Sequence, residues 1–143
     1  MDVRKIYFLL LSTVVLLTTV FSCSSVSQKT ESVSANAALD NIFARKSVRT
    51  YLNKGVEEEK IDLMLRAGMA APSGKDLRPW EFIVVTKRAS LDSMAAALPY
   101  AKMLTEARYA IVVCGDSTRS SYWYLDCSAA AQNILLAAES LGL

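Results

Sequence analysis

Apolar and polar positions along residues 39–143 follow periods that predict helices and two strands. Apolar side chains recur three and four positions apart over 39–46 and from 57 to Pro72, as one face of a helix requires. Short β-branched and aromatic runs at 81–86 and 109–114 predict two buried strands. Further helices are predicted at 90–97, for one or two turns around 102–106, and at 122–141. The pattern predicts the α+β class.

The helix predicted at 122–141 is the most apolar of these elements. Leu125, Ile134 and Leu141 belong to a set that covers more than one helix face, with small alanines between them. A helix that is apolar nearly all round needs a large core or a partner, so we expect a subunit interface here. Two strands alone do not make a stable sheet. From this and the end at Leu143 we expect that further C-terminal strands are missing from the chain.

The first residues have the pattern of an export signal. Arg4 and Lys5 precede an apolar run from Ile6 to Phe21, which ends at Cys23 in a lipobox-like sequence. We predict a lipoprotein signal peptide at 1–22, lipidation of Cys23, a flexible tether at 23–38 and the folded domain at 39–143. The alternatives are an ordinary signal peptide cut elsewhere and an uncleaved anchor. The predicted location is that of an exported bacterial lipoprotein, in the outer membrane or facing the periplasm.

Composition excludes several kinds of site. The chain has no histidine, which removes Ser-His-Asp and Cys-His nucleophile systems and His-based zinc sites. Its five glycines fit neither a Walker A loop nor a dinucleotide fingerprint. Loss of residues 1–22, with one acidic and two basic side chains, lowers the net charge from +2 to +1, so we predict no nucleic-acid partner. No metal site is predicted, and Cys114 and Cys127 are predicted to be buried thiols.

Two short segments carry the candidate chemistry. Arg45-Lys46-Ser47-Val48-Arg49 places three cations and a hydroxyl within five residues, a set suited to binding phosphate. Ala71-Pro72-Ser73-Gly74 follows the second predicted helix, and Arg78-Pro79-Trp80-Glu81-Phe82 leads into the first strand. Each segment alone is ordinary, as a solvated basic cap, a turn or a core strand. Their order and spacing together resemble the nitroreductase family over residues 39–143.

The resemblance implies a fold and a cofactor. The family fold is an α/β/α sandwich around a central, mostly antiparallel sheet, formed as an obligate homodimer with FMN. In this family the basic segment holds the FMN phosphate and ribityl chain, the Pro-Ser loop comes from the other subunit, and a lysine lies near the flavin edge. The implied cofactor residues are Arg45, Lys46, Ser47, Arg49, Pro72, Ser73, Gly74 and Lys102.

The resemblance also implies an activity. Family members pass hydride from a reduced nicotinamide-type donor to nitroaromatics, quinones or similar acceptors by a ping-pong mechanism, and no side chain is predicted to act as acid or base. The alternatives are a non-catalytic flavin-binding or structural lipoprotein remnant, and a fragment of an ordinary member. Asp76 and Arg78 depart from the family's usual Asn and Gln, and we expect that an Asp76–Arg78 interaction offsets the added charge.

Overall fold

Four helices and a two-stranded sheet make up residues 36–143, the part of the chain that the computed structural model describes. Two short 3-10 turns lie between these elements, and Asn36–Leu143 forms one unit. In chain order the elements are α1 (Ala37–Ala44), α2 (Glu58–Met69), the turn Gly74–Asp76, β1 (Trp80–Val85), α3 (Arg88–Ala97), the turn Lys102–Thr105, β2 (Ala110–Gly115) and α4 (Trp123–Ser140).

The sequence pattern predicted every one of these helices and strands. Their observed ends lie within two residues of the predicted ends, except that α2 ends at Met69, three residues before Pro72, and the α+β class is confirmed. The signal peptide, Cys23 and the tether as far as residue 35 lie outside the described residues. Within residues 36–143, no helix is both long and apolar enough to cross a membrane.

The two strands pair antiparallel, as the resemblance implied for the central sheet. The register runs from Trp80 opposite Gly115 to Val85 opposite Ala110. At Gly115 the strand closely approaches the start of α4, since a Cβ there would lie 2.5 Å from Trp123 Cε3 and 2.8 Å from Cys127 Sγ. Only glycine fits this approach without movement of a neighbour.

Helix α4 is the centre of the domain, packing against α1, α2 and both strands. The side of α4 that carries Ala130 and Ile134 is buried, and the small alanine allows close packing. Gly68 of α2 meets this face so closely that a Cβ would lie 3.0 Å from Ile134 Cδ1 and from Phe82 Cζ. The core cluster consists of Ala71, Trp80 and Ala130, with Phe82, Cys127 and Ala129 packed against it.

Other parts of α4 stay open to solvent in the described chain. Leu125 is 55% exposed and Leu135 is 48% exposed, while Ile134 on the opposite side is buried. The prediction that Cys114 and Cys127 are buried was wrong, since both are only half-buried. Cys127 Sγ donates to the carbonyl of Cys114 at 3.6 Å, where α4 packs against β2. Partial burial raises the pKa of Cys127 above its ordinary value of 9.0. The nearby charge of Asp126 and, to a smaller extent, Cys114 raise this pKa further.

The connection between the strands folds into a small unit of its own. Leu91 and Ala95 of α3 are buried, and α3 packs against the turn Lys102–Thr105. The guanidinium of Arg88 closes this unit, donating from Nη1 to the carbonyl of Ala107 at 2.8 Å and from Nη2 to the carbonyl of Leu104. These bonds hold the beginning of α3 beside the residues that lead into β2.

Candidate functional site

The basic segment Arg45–Arg49 directly follows α1 and has extended or irregular backbone. Arg45 is half-buried, whereas Lys46, Ser47 and Arg49 are exposed. The side chain of Arg49 donates to the carbonyl of Ser47 at 3.4 Å, near the limit of a hydrogen bond. Within residues 36–143, none of the three cations forms an ion pair with a carboxylate. Their charges are therefore not neutralised by a side chain of the described domain.

Arg49 also lines an open cavity together with Lys102. The cavity has a volume of about 590 Å³ and is completed by Pro99, Tyr100 and Met103. Lys102 Nζ donates to the carbonyl of Ala95 at 3.0 Å, which fixes the ammonium beside α3. Two predicted cofactor residues that are far apart in sequence thus meet at one surface. Charge and apolar area together suit a ligand with both an anionic group and a flat ring.

A second open cavity, of about 500 Å³, has the opposite character. Glu58, Glu59 and Asp62 of α2 line it together with Leu63 and Arg66. Three carboxylates against one guanidinium would repel a phosphate group. The cavity at Arg49 and Lys102 is the better candidate for an anionic cofactor.

The loop Ser73–Arg78, here called the anchored loop, contains an unusual backbone. The φ angles are +56° at Lys75, +55° at Asp76 and +45° at Arg78, in the left-handed region that side chains disfavour. The expected Asp76–Arg78 interaction is confirmed, with Arg78 Nε 2.6 Å from Asp76 Oδ1 and Arg78 Nη2 3.2 Å from Asp76 Oδ2. The hydrogen bond to Asp76 and then its charge raise the pKa of Arg78 above its ordinary value.

A single buried carboxylate holds the start of this loop. Asp126, only 5% exposed in the first turn of α4, accepts a hydrogen bond from the Gly74 amide at 2.9 Å. It also accepts from Ser73 Oγ at 3.2 Å and from Ser120 Oγ at 3.4 Å. Ser73 Oγ accepts in turn from the amide of Arg78 at 2.8 Å, which ties the two ends of the loop together.

Further contacts fix the same loop from outside. Arg119 Nη2 donates to the carbonyl of Leu77 at 3.0 Å. The ring of Tyr122 lies so close to Gly74 that a Cβ there would be 2.9 Å from Tyr122 Cδ2. Ser73 and Gly74 are half-buried, while Pro72 remains exposed.

The eight predicted cofactor residues therefore fall into two groups. Arg49 and Lys102 share a cavity, with Arg45, Lys46 and Ser47 on the segment that leads to it. Ser73 and Gly74 belong to the anchored loop, and Pro72 directly precedes it. Among the described residues, no hydrogen bond or ion pair joins the two groups.

Sequence patterns did not point to Asp126 and Ser120 as residues of the site. The available signal was an acidic residue in the first turn of the last helix, where the helix dipole favours a negative charge. That signal is common in helices and says nothing of a loop some 50 residues earlier. The contact with Ser73 and Gly74 appears only in the folded chain.

Comparisons with known proteins agree with this architecture. Residues 42–101 match the model of the nitroreductase family. A protein of Methanothermobacter thermautotrophicus named "Putative NADH dehydrogenase/NAD(P)H nitroreductase" is 47% identical over 114 residues, which cover 78% of this chain and 60% of the relative.

Solved structures extend the likeness to the fold. A protein of Bacteroides thetaiotaomicron with the same name is 85% identical at a TM-score of 0.75, over 76% of this chain and 65% of that one. An FMN-dependent nitroreductase of Clostridium difficile is 38% identical at a TM-score of 0.70, over 73% of this chain and 61% of that one. The chain thus spans less than two thirds of the length of these relatives.

Proposed function

The chain belongs to the nitroreductase family, and from this premise we propose that it is a flavoprotein oxidoreductase with FMN as its cofactor. The observation that carries the proposal is the meeting of Arg49 and Lys102 in one cavity, beside a segment whose cations have no carboxylate partner in the described domain.

The residues at this surface fit FMN. Arg45, Lys46 and Arg49 supply charge-assisted donors for a phosphate, with the hydroxyl of Ser47 beside them. Pro99 and Met103 supply apolar area in the cavity of Lys102, where a flat ring system can exclude water. A cation beside the ring stabilises negative charge when the ring is reduced, and Lys102 is placed to provide it.

When bound, FMN would supply hydride chemistry, taking two electrons and one proton from a reduced nicotinamide-type donor and returning them, with one solvent proton, to a quinone or nitroaromatic acceptor. Donor and acceptor would use the same face in turn, in a ping-pong order. The chain's own residues bind the cofactor, orient it and exclude water. No side chain is proposed as acid or base.

We also propose that the active form is a homodimer in which Pro72, Ser73 and Gly74 complete the partner's site. Exposed apolar side chains supply surface for association, with Phe43 78% exposed and Leu125 55% exposed.

The decisive experiment measures flavin retention. The full chain, mixed with FMN and passed through gel filtration, should carry flavin absorbance in a dimer-sized peak. Arg45→Ala combined with Arg49→Ala should abolish this, because two phosphate partners are lost. Lys60→Ala combined with Arg66→Ala is the matched control, since it removes two cations from the surface of α2. A peak of the unmodified chain that carries no flavin would overturn the proposal. Flavin in that peak without turnover would support the non-catalytic alternative.

Export is a separate proposal, which rests on the sequence of residues 1–23 alone. We propose that the chain is carried to the bacterial envelope and anchored by acylated Cys23. Metabolic labelling with a palmitate analogue should mark the protein and should fail for Cys23→Ala. Equal labelling of both forms would contradict the lipid anchor.

A further inference from the structure

Asp126 is the most buried ionisable group at the candidate site, and its surroundings are unusual for a carboxylate. A charged side chain that leaves water needs hydrogen bonds or an opposite charge. Asp126 is 5% exposed and has no ion pair among the described residues. It is stabilised instead by the donors of Ser73, Gly74 and Ser120.

These donors are not spread evenly over the surroundings. Two of the three donors belong to Ser73 and Gly74. These two residues, together with Pro72, are the ones proposed to reach the cofactor. The Gly74 amide makes the shortest of the three bonds, at 2.9 Å. The carboxylate therefore fixes the position of the loop through both its backbone and its side chain.

The loop needs such fixing because its backbone is strained. Three consecutive or nearly consecutive non-glycine residues, Lys75, Asp76 and Arg78, have positive φ. Such conformations persist only where surrounding contacts over-determine them. Asp126 holds the residues just before the strained part, and the amide of Arg78 at its end donates to Ser73 Oγ.

We infer that Asp126 is a positioning residue, which holds the anchored loop in the conformation that contacts the flavin. The inference rests on the proposed FMN site and deepens it. Asp126 does not touch the cofactor in this assignment. It acts through Ser73 and Gly74, and its loss should weaken FMN binding more than it weakens the fold.

The test compares three variants of the full chain. Asp126→Asn keeps one acceptor oxygen but turns an amide group toward the donors, and Asp126→Ala removes both oxygens. Ser128→Ala is the matched control, because this exposed serine of α4 donates to the carbonyl of Tyr124 and has no bond to Asp126, Ser73 or Gly74. Amide hydrogen exchange is read at Gly74 and Arg78, with the amide of Asp116, which donates to the carbonyl of Pro79 at 2.8 Å, as reference.

Loss of a charged hydrogen-bond partner should accelerate exchange at Gly74 and Arg78 by about tenfold or more in Asp126→Asn, with the Asp116 amide unchanged. The dissociation constant for FMN, measured by quenching of flavin fluorescence, should rise by a similar factor, about tenfold or more. Ser128→Ala should move neither quantity by more than about twofold. If Asp126→Ala does not fold, Asp126→Asn alone carries the test.

Each other outcome has a defined meaning. Unchanged exchange in Asp126→Asn overturns the inference whatever happens to flavin binding. Faster exchange with unchanged FMN affinity overturns it too, since the loop then moves without consequence for the cofactor. If the unmodified chain binds no FMN, the proposed function fails, and with it the cofactor role of Asp126. The exchange result then still decides whether Asp126 holds the loop.

Discussion

The anchored loop Ser73–Arg78 and the open connection at residues 45–57 both carry predicted cofactor residues. The two segments differ in the contacts that these residues make with the rest of the domain. Asp126, Arg119 and Tyr122 all contact the anchored loop. The cations at the start of the open connection have no ion-pair partner among residues 36–143. The fold therefore fixes the anchored loop by several contacts, whereas the cations of the open connection keep their charges without a carboxylate partner in the described domain.

The difference has an energetic reason. A loop that presents backbone and small side chains to a ring must be rigid, because ordering it on binding would reduce the affinity. Arginine and lysine side chains that bind phosphate need to remain unpaired instead, since an internal carboxylate would compete with the ligand. In the proposed FMN site, the two segments would therefore meet different requirements of one cofactor.

The largest expected effect comes from disturbing the start of α4, which carries Asp126, the residue that holds the anchored loop. Gly115→Ala places a Cβ 2.5 Å from Trp123 Cε3 and 2.8 Å from Cys127 Sγ. Such overpacking should lower the free energy of unfolding by about 1–3 kcal/mol. Urea unfolding followed by tryptophan fluorescence measures the change.

Gly55→Ala, in the open connection, is the matched control. Nothing lies within 4 Å of the added Cβ. Its free energy of unfolding should stay the same or rise by up to about 1 kcal/mol, because alanine restricts the unfolded chain. Equal losses in the two variants would contradict the difference between the two regions.

A smaller effect tests the strain in the anchored loop. Lys75 has a φ of +56°, which glycine adopts at no steric cost. Lys54, in the open connection, does not have a positive φ and serves as the comparison. Lys75→Gly should leave the protein about 1 kcal/mol more stable than Lys54→Gly does, because only the first substitution relieves strain. Thermal unfolding of the two variants, which lose the same charge and side chain, measures this difference directly. A Lys54→Gly protein as stable as Lys75→Gly would show that the loop stores no strain.

The helices and strands could be predicted from the sequence, but the contact of Asp126 with the anchored loop could not. Each helix and strand has its own local period, so α4 could be predicted from the spacing of its own leucines and alanines. The Asp76–Arg78 pair was also within reach, because two opposite charges lay two residues apart. The contact of Asp126 with Gly74 joins residues 52 positions apart, and no local pattern encodes it.

The strained backbone was equally hidden. Positive φ is usually signalled by glycine, asparagine or aspartate, and here Lys75 and Arg78 adopt it as well as Asp76. Tertiary contacts impose it on the loop. The exposed side chains of Leu125 and Leu135 show the same limit, since periodicity identifies apolar faces but not which of them the fold covers.

The bonds of Arg88 across the strand connection bear on the order of folding. Val85 and Ala110 pair at one end of the sheet, and the chain must close the intervening segment before that pair can form. Loop closure costs entropy, and contacts that depend on it form slowly. By joining the start of α3 to Ala107, Arg88 brings the two strand ends together inside a locally folded unit. In the folded chain the bonds of Arg88 therefore offset part of the cost of loop closure at the end of the sheet where Val85 pairs with Ala110.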